Sequence, residues 1–252
     1  MAGAYEMLAA DYDWMFDDEA LANGRAINHP ATARLLRRIS PASVVLDAAC
    51  GTGVDAAVLA RRGLAVSAAD GSAAMVEAAA ARFARERLAI PLLRSAWADL
   101  PAATGERFDV VLCLGNSLVH AAGRDAMVAA LIGLRRMTRP GGHVVVDSRN
   151  WEKLHAERRI VQVADRVVRR AGRRCVVFYA WEVPDRFGDE LTAHLVFVFD
   201  DGGRLDPHEY QITFRPFTVS DLRERLELAG LREMDTDYGD SGDRYAVVTV
   251  AT

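Results

Sequence analysis

Apolar residues in the first two-thirds of the chain fall into short continuous runs separated by longer stretches with helical spacing. That pattern predicts strands buried on both faces of a parallel sheet and joined by helices. Residues 44–46 are the first such run, and 55–62 behind them are helix formers. Residues 65–68 predict a second strand, followed by an alanine-rich helix over 72–86 with Ser72 as its N-cap. Residues 91–93 and 108–114 predict strands three and four. A helix over 126–139 is then broken by Pro140-Gly141-Gly142 ahead of a fifth strand at 144–147. Beyond residue 150 the pattern changes to alternation. Residues 160–164, 175–183, 191–200 and 209–214 predict antiparallel strands, with Arg170-Ala171-Gly172-Arg173 and Asp200-Asp201-Gly202-Gly203 as hairpin turns. A helix capped by Thr218 or Ser220 and ended by Gly230, then strands at 231–238 and 245–250, complete the chain. Upstream, 30–39 predicts a helix packed on the sheet edge, while the aromatic stretch 5–16 suits either a packed arm or a lid over a ligand.

The expected fold is therefore α/β: a mostly parallel Rossmann-like sheet with an antiparallel last strand, and an antiparallel β layer inserted after strand five. Four parts follow, an N-terminal arm and helix (1–43), a ligand-binding core (44–150), the β insertion (151–216) and a C-terminal completion of the core sheet (217–252). At 252 residues and 51% hydrophobic content the chain can bury one large core. A formal net charge of −4 argues against phosphate-backbone tracking, so no nucleic-acid partner is expected. Three cysteines without metal-ligand spacing point away from zinc or a disulfide framework, and no metal is expected. With no segment resembling a signal peptide or a membrane span, the expectation is a cytoplasmic protein without a membrane partner. An assembly of identical copies is left open. The arginines between 158 and 174 are expected to form the solvated face of a hairpin.

Candidate chemistry concentrates at the first turn. Asp47-Ala48-Ala49-Cys50-Gly51-Thr52-Gly53 links a buried strand to a helix, and Gly51 and Gly53 let a ligand approach the main chain. Gly51-x-Gly53-x-x-Ala56 with Asp70 on the next strand also fits a dinucleotide fingerprint, which keeps a nicotinamide-dependent oxidoreductase open. Asp47 ahead of the glycines weighs against an anionic pyrophosphate there. The Asp-x-x-Cys-Gly-Thr-Gly run resembles the first motif of class I S-adenosylmethionine-dependent methyltransferases, whose acidic residue lies near the cationic methionine end of the cofactor. The other informative stretches open from strand ends: Ala96-Trp97 after strand three, where an indole could lie against adenine or merely cap the core; Gly115-Asn116-Ser117 after strand four; and Ser148-Arg149-Asn150 after strand five.

Cys113-Leu114-Gly115-Asn116-Ser117-Leu118-Val119-His120, Arg139-Pro140-Gly141-Gly142 and Asp147-Ser148-Arg149-Asn150 together resemble the glycine N-methyltransferase family, which includes bacterial glycine, sarcosine and dimethylglycine methyltransferases. The match runs through the first two-thirds of the chain. The resemblance implies that S-adenosyl-L-methionine is the cofactor and that a small-molecule amine, glycine-like, is the substrate. Asn116 and Arg149 would then hold the acceptor, Arg149 by its carboxylate, and Tyr12 would shape the acceptor site. On the cofactor side the family pattern carries onto Asp47, Ala49, Gly51, Gly53, Asp70, Met75, Ala96, Trp97, Leu114 and His120. The chain departs from mammalian members at Ala96, where they have asparagine, and at Ser148, where they have histidine. A hydroxyl acceptor would want a base, for which His120 is the candidate at this edge, although a cofactor-contacting His120 is the preferred reading. Methylation of a specialised natural-product amine or hydroxyl on the same scaffold, or cofactor binding without catalysis, are the alternatives.

Overall fold

The structure, a computed structural model, describes residues 2–164, 166–239 and 241–252. The chain begins with α1 (Ala2–Leu8), α2 (Asp18–Asn23) and α3 (Pro30–Leu36). Strands and helices then alternate: β1 (Val44–Asp47), α4 (Val54–Arg61), β2 (Ala65–Asp70), α5 (Ala73–Glu86), β3 (Leu92–Arg94), α6 (Leu100–Thr104), β4 (Phe108–Cys113), α7 (Arg124–Met137) and β5 (Thr138–Arg149). After α8 (Trp151–Ala156) come β6 (Val161–Val163), β7 (Val168–Arg170), β8 (Arg173–Glu182), β9 (Leu191–Asp201) and β10 (Arg204–Phe214). The last elements are α9 (Val219–Leu228), β11 (Leu231–Thr236) and β12 (Arg244–Ala251).

Seven strands make one sheet in the order β11-β12-β5-β4-β1-β2-β3, parallel from β5 to β3 and antiparallel at β12 and β11. Its apolar runs divide by the two-residue strand period. Val45, Val110, Leu112, Val145 and Val248 pack beneath α4 and α5 against Ala56, Leu59 and Phe83. Their sequence neighbours Leu46, Val111, Val144, Val146 and Val247 face the opposite way, toward Leu131 and Leu134 of α7 and Leu222 of α9. Both faces are dry, so truncating a central side chain such as Leu112 to alanine would cost about 2–5 kcal/mol. The expected fold class is present.

The inserted layer is a second, antiparallel sheet in the order β10-β9-β8-β6, with β7 pairing beyond β6 on the same strand β8. Its inner face, carrying Cys175, Val177, Leu195, Phe197 and Phe199, joins the core of the first sheet on the α7 side. The sheet is thus fused to the cofactor fold and does not float beside it.

Several local expectations are corrected. The helix predicted to reach residue 139 ends at Met137, and the Pro140-Gly141-Gly142 break lies inside β5, where the β4–β5 register shifts. Gly142 is required by crowding, since a Cβ there would stand 2.8 Å from the Asp109 carbonyl oxygen. Helix α3 packs on β12, with Arg34 forking onto the Asp235 carboxylate of edge strand β11 at 2.8 Å for both bonds. Strand β7 and helix α8 carry too few apolar positions to announce themselves. The arginines of 158–174 are mostly exposed, as expected of a hairpin face, but two of them also reach the arm: Arg170 donates to Asp18 at 2.6 Å and to the Asp13 carbonyl at 2.8 Å, and Arg166 pairs with Asp17.

These contacts clamp the N-terminal arm. Glu6 accepts from the Ala73 and Ala74 amides at 2.8 and 2.9 Å, occupying the positive N-terminus of α5. Asp11 binds His208 and Tyr210 of β10 at 2.5 and 2.7 Å, and Asp13 takes the Thr52 hydroxyl at 2.7 Å and pairs with Arg82. The aromatic stretch is an anchored strap running from the glycine turn to the inserted sheet.

Candidate active site

The carboxyl ends of β1, β2, β4 and β5 converge beneath this strap, as the parallel topology requires of a doubly wound sheet. Two cavities meet there. One, of about 250 Å³, is bounded by Ala49, Gly51, Asp70, Met75, Ala96, Trp97, Leu114 and His120. The other, of about 340 Å³, lies under the inserted sheet and includes Asn116, Arg149, Tyr179, Trp181, Leu195 and Ile212 in its wall. Tyr5, Tyr12, Arg25 and Gly115 belong to both, so these four residues form the passage between them.

The smaller cavity begins at Asp70, whose carboxylate accepts from Gly51 at 2.8 Å and from Ser72 at 2.9 Å. Burial raises the pKa of this group, against the pull of those amide bonds. Two acceptor oxygens with remaining lone pairs suit the hydroxyls of a ribose. Met75, Ala96, Leu114 and the Trp97 indole supply an apolar slot beside it. Trp97 is held by its indole N–H on the Ala48 carbonyl at 2.8 Å and by Gly133, where a Cβ would come within 2.2 Å of the Trp97 oxygen. A carboxylate rim next to a flat apolar slot fits a nucleoside.

Two residues of the first motif are not at a cavity surface. Asp47 is buried behind Ala49, reaching its amide only at 3.4 Å. Burial first, and the charge of Asp55 second, push its carboxyl up to about 8. Gly53 sits with φ +79° at the start of α4, and a Cβ there would meet the Phe83 ring at 2.7 Å. Its role in the structure is close helix packing.

His120 borders the smaller cavity with Nε2 2.7 Å from the Tyr5 hydroxyl, and burial lowers its pKa to about 4. At neutral pH the ring is uncharged and a weak base, which suits contact and not proton abstraction.

The larger cavity is organised by Asn116 and Asp147. Asn116 adopts φ +62°, its amide donates to Asp147 at 2.6 Å, and its side-chain oxygen accepts from the Arg149 amide at 2.9 Å. The side chain thereby ties the β4 loop to the end of β5. Asp147 is fully buried, yet His29 at 3.4 Å and Arg244 at 3.7 Å keep its pKa below the usual carboxylate range. Arg149 is different. Its guanidinium donates to the Gln162 amide oxygen at 3.0 Å and lies 4.9 and 5.7 Å from the ring centroids of Trp181 and Tyr179. Among the described residues no carboxylate pairs with it, and burial, then Arg244, lowers its pKa to about 10. Three arginines and one histidine line this cavity, with no aspartate or glutamate in its wall among the described residues.

Sequence reasoning missed Tyr5, Arg25, His29 and Arg244. Arg25 is placed by Asp55 of α4, which accepts from the Arg25 and Ala26 amides at 2.6 and 3.3 Å; the spacing of 30 residues leaves no local pattern to read. Asp55, two residues past the first motif, was the available signal. Among the described residues no group of side chains is arranged to hold a metal ion, the three cysteines are free and buried, and no helix is long and apolar enough to cross a membrane.

Comparison with known proteins agrees with this geometry. A profile described as a methyltransferase domain matches residues 45–142. The glycine/sarcosine N-methyltransferase of Parasynechococcus marenigrum (strain WH8102) is 31% identical over 82% of this chain and 68% of its own length. The enzyme of the same description from Aphanothece halophytica is 27% identical over 80% of this chain and 70% of that one. Against the glycine N-methyltransferase of Rattus norvegicus identity is 35%, but over 43% of this chain and 41% of the relative, so the match spans under half of that protein. Among solved structures, S-adenosylmethionine-bound CalS10, an amino pentose methyltransferase of Micromonospora echinaspora, superposes with a TM-score of 0.68 at 21% identity, covering 98% of this chain and 92% of that one.

Proposed function

The chain belongs to the glycine/sarcosine N-methyltransferase family of class I S-adenosylmethionine-dependent methyltransferases, and from that premise we propose that it methylates the amine of a small amino acid or a closely related small metabolite. Membership removes the nicotinamide and non-catalytic alternatives. The observation that carries the finer reading is Arg149, a guanidinium with no carboxylate partner among the described residues, in the wall of a cavity that opens onto the cofactor slot.

Asp70 would hold the ribose of the cofactor, with the adenine in the slot of Met75, Ala96, Trp97 and Leu114, and Ala49, Gly51 and His120 along the remaining wall. Asp47, behind Ala49, has its carboxyl pushed up to about 8, and a cationic methionine end bound on the other side of the wall would draw it back toward the charged form. Gly53 serves by letting α4 pack close. When bound, S-adenosylmethionine supplies a methyl carbon already made electrophilic by the adjoining sulfonium. What remains for the protein is alignment and exclusion of water. Arg149 would grip the acceptor carboxylate through two parallel N–H donors, with Tyr179 and Trp181 fixing the guanidinium plane. Asn116 sets that grip by locking Arg149's backbone. Tyr12, together with Tyr5, borders the passage through which the amine would meet the methyl group.

Arg25 and Arg244 are matched by Asp55 and Asp147 behind the wall, which leaves the Arg149 charge uncompensated among the described residues to disfavour the ammonium form and favour the free amine that attack requires. The proton released after transfer leaves to solvent, and no general base is needed. A hydroxyl acceptor would need one, and a His120 with a pKa of about 4 is poorly matched to that task. An amine is therefore the better acceptor. Incubation with S-adenosylmethionine and a panel of amines and hydroxyl analogues, read by mass spectrometry, tests this. N-methylated product with stoichiometric S-adenosylhomocysteine is expected, and exclusive methylation of hydroxyls would refute it.

A further inference from the structure

The acceptor cavity is larger and less polar than glycine needs. Its volume of about 340 Å³ corresponds to roughly eleven waters at about 30 Å³ each. An acceptor of glycine's size displaces about two or three on the same measure, and would leave most of the space unfilled. The unfilled part is not polar. Leu8, Leu195, Ile212 and Phe214 form its far wall, all at most 5% exposed, and they come from α1 and the inner face of the inserted sheet. Tyr179 and Trp181 stack with ring centroids 5.0 Å apart and planes within 7°, giving a flat apolar side next to Arg149. Cationic and polar groups (Arg149, Arg244, Asn116, His29) sit on the other side, at the carboxyl edge of the first sheet. The cavity is amphipathic, with one anion-accepting side and one apolar end. Water ordered against Leu195 and Ile212 would find few partners, so an apolar part of the ligand belongs there.

Resting on the amine-methylation reading above, we propose that the preferred acceptor is an amino acid, or a close amino carboxylate, with an apolar side chain between leucine and phenylalanine in size, and not glycine or sarcosine. Its carboxylate meets Arg149, its nitrogen lies at the Tyr5–Tyr12 passage, and its side chain fills the end formed by Leu195 and Ile212. An amino sugar lacks the carboxylate and would leave Arg149 buried and unpaired.

The test is a comparison of kcat/KM on the unaltered protein for glycine, sarcosine, leucine, phenylalanine and phenethylamine. Dissociation constants for the same acceptors on the S-adenosylhomocysteine complex are measured by calorimetry alongside. Leucine or phenylalanine is expected to exceed glycine and sarcosine by about a hundredfold in both readouts, and phenethylamine to lose about as much as glycine does. Equal or better use of glycine or sarcosine overturns the proposal while leaving amine methylation intact. No methylation of any amine by a protein that binds S-adenosylhomocysteine overturns both. Ile212→Trp, which fills the apolar end, should shift the leucine-to-glycine ratio toward glycine at least tenfold; an unchanged ratio in a folded variant places the side chain elsewhere and overturns it.

Discussion

Replacing Arg149 by methionine should make the protein more stable and less active at the same time. The guanidinium is held in the folded state with its pKa lowered from 12.5 to about 10, first by burial and then by Arg244. At about 1.4 kcal/mol per unit this is a cost near 3 kcal/mol, discounted to about 2 because one side faces an open cavity. The sign is fixed: a cation whose folded pKa is depressed destabilises at every pH below about 10, and the cost fades only as pH climbs from there toward 12.5. Methionine keeps the length of the stem and removes the charge. It also gives up the Gln162 bond and the contacts with Trp181 and Tyr179, about 1 kcal/mol together. The net is a gain of about 1 kcal/mol, or a Tm higher by about 2–4 °C for a chain of this size. Acceptor recognition moves the other way. Loss of a desolvated fork onto a carboxylate costs about 3 kcal/mol, roughly a 150-fold fall in kcat/KM for an amino acid. The matched amine without a carboxylate should lose little. Differential scanning fluorimetry and steady-state kinetics on an amino acid and its decarboxylated analogue read the two effects. A variant whose two substrates fall equally, or whose Tm drops by several degrees, would show that Arg149 braces the fold and does not wait for an anion.

Asp47→Asn should raise Tm most at alkaline pH. The wild-type carboxyl, pushed up to about 8, lowers stability as pH rises from about 4 to about 8, so the variant's Tm-against-pH curve should be flatter over that window while its affinity for S-adenosylmethionine falls about tenfold. Parallel curves for the two proteins would contradict the assigned pKa. Gly53→Ala must accommodate both φ +79° and a Phe83 contact at 2.7 Å, which we expect to cost about 2–4 kcal/mol in chemical denaturation; a change under about 0.5 kcal/mol would refute the packing role. Arg170→Ala removes bonds to Asp18 and the Asp13 carbonyl and should expose the first 24 residues to limited proteolysis at least tenfold faster. Unchanged cleavage would mean that the remaining arm contacts suffice.

The core sheet was legible because its information is local. Apolar runs such as 44–46 and 108–114 and the Gly51/Gly53 turn state strand, turn and helix within a dozen residues. Residues read from the ends of those strands, Asp70, Trp97, Asn116 and Arg149, do border the converging cavities, because a parallel sheet delivers every such end to one edge. Long-range partnerships left no local trace. Nothing within several residues of Arg170 announces Asp18, 152 positions away, and Arg244 reaches Asp147 only after β12 has inserted antiparallel beside β5. Asn116 looked like a substrate-orienting amide from sequence, whereas its oxygen is already used by the Arg149 backbone, a bond that depends on the positive φ of that residue. Likewise Pro140-Gly141-Gly142 has the composition of a helix-ending loop. Its place in β5 follows from pairing with β4 on either side of an irregularity, Thr138 with Phe108 and His143 with Val110, which no pattern within the segment encodes.

The measurement closest to the central claim uses S-adenosylmethionine labelled with carbon-13 at the transferred methyl, incubated with the protein and leucine or phenylalanine and followed by NMR. A new N-methyl resonance growing as the S-methyl signal decays is the result expected, with Arg149→Met slowing it about 150-fold. An S-methyl signal that persists in the presence of every amino acid tried, or a label that arrives on oxygen, would contradict it.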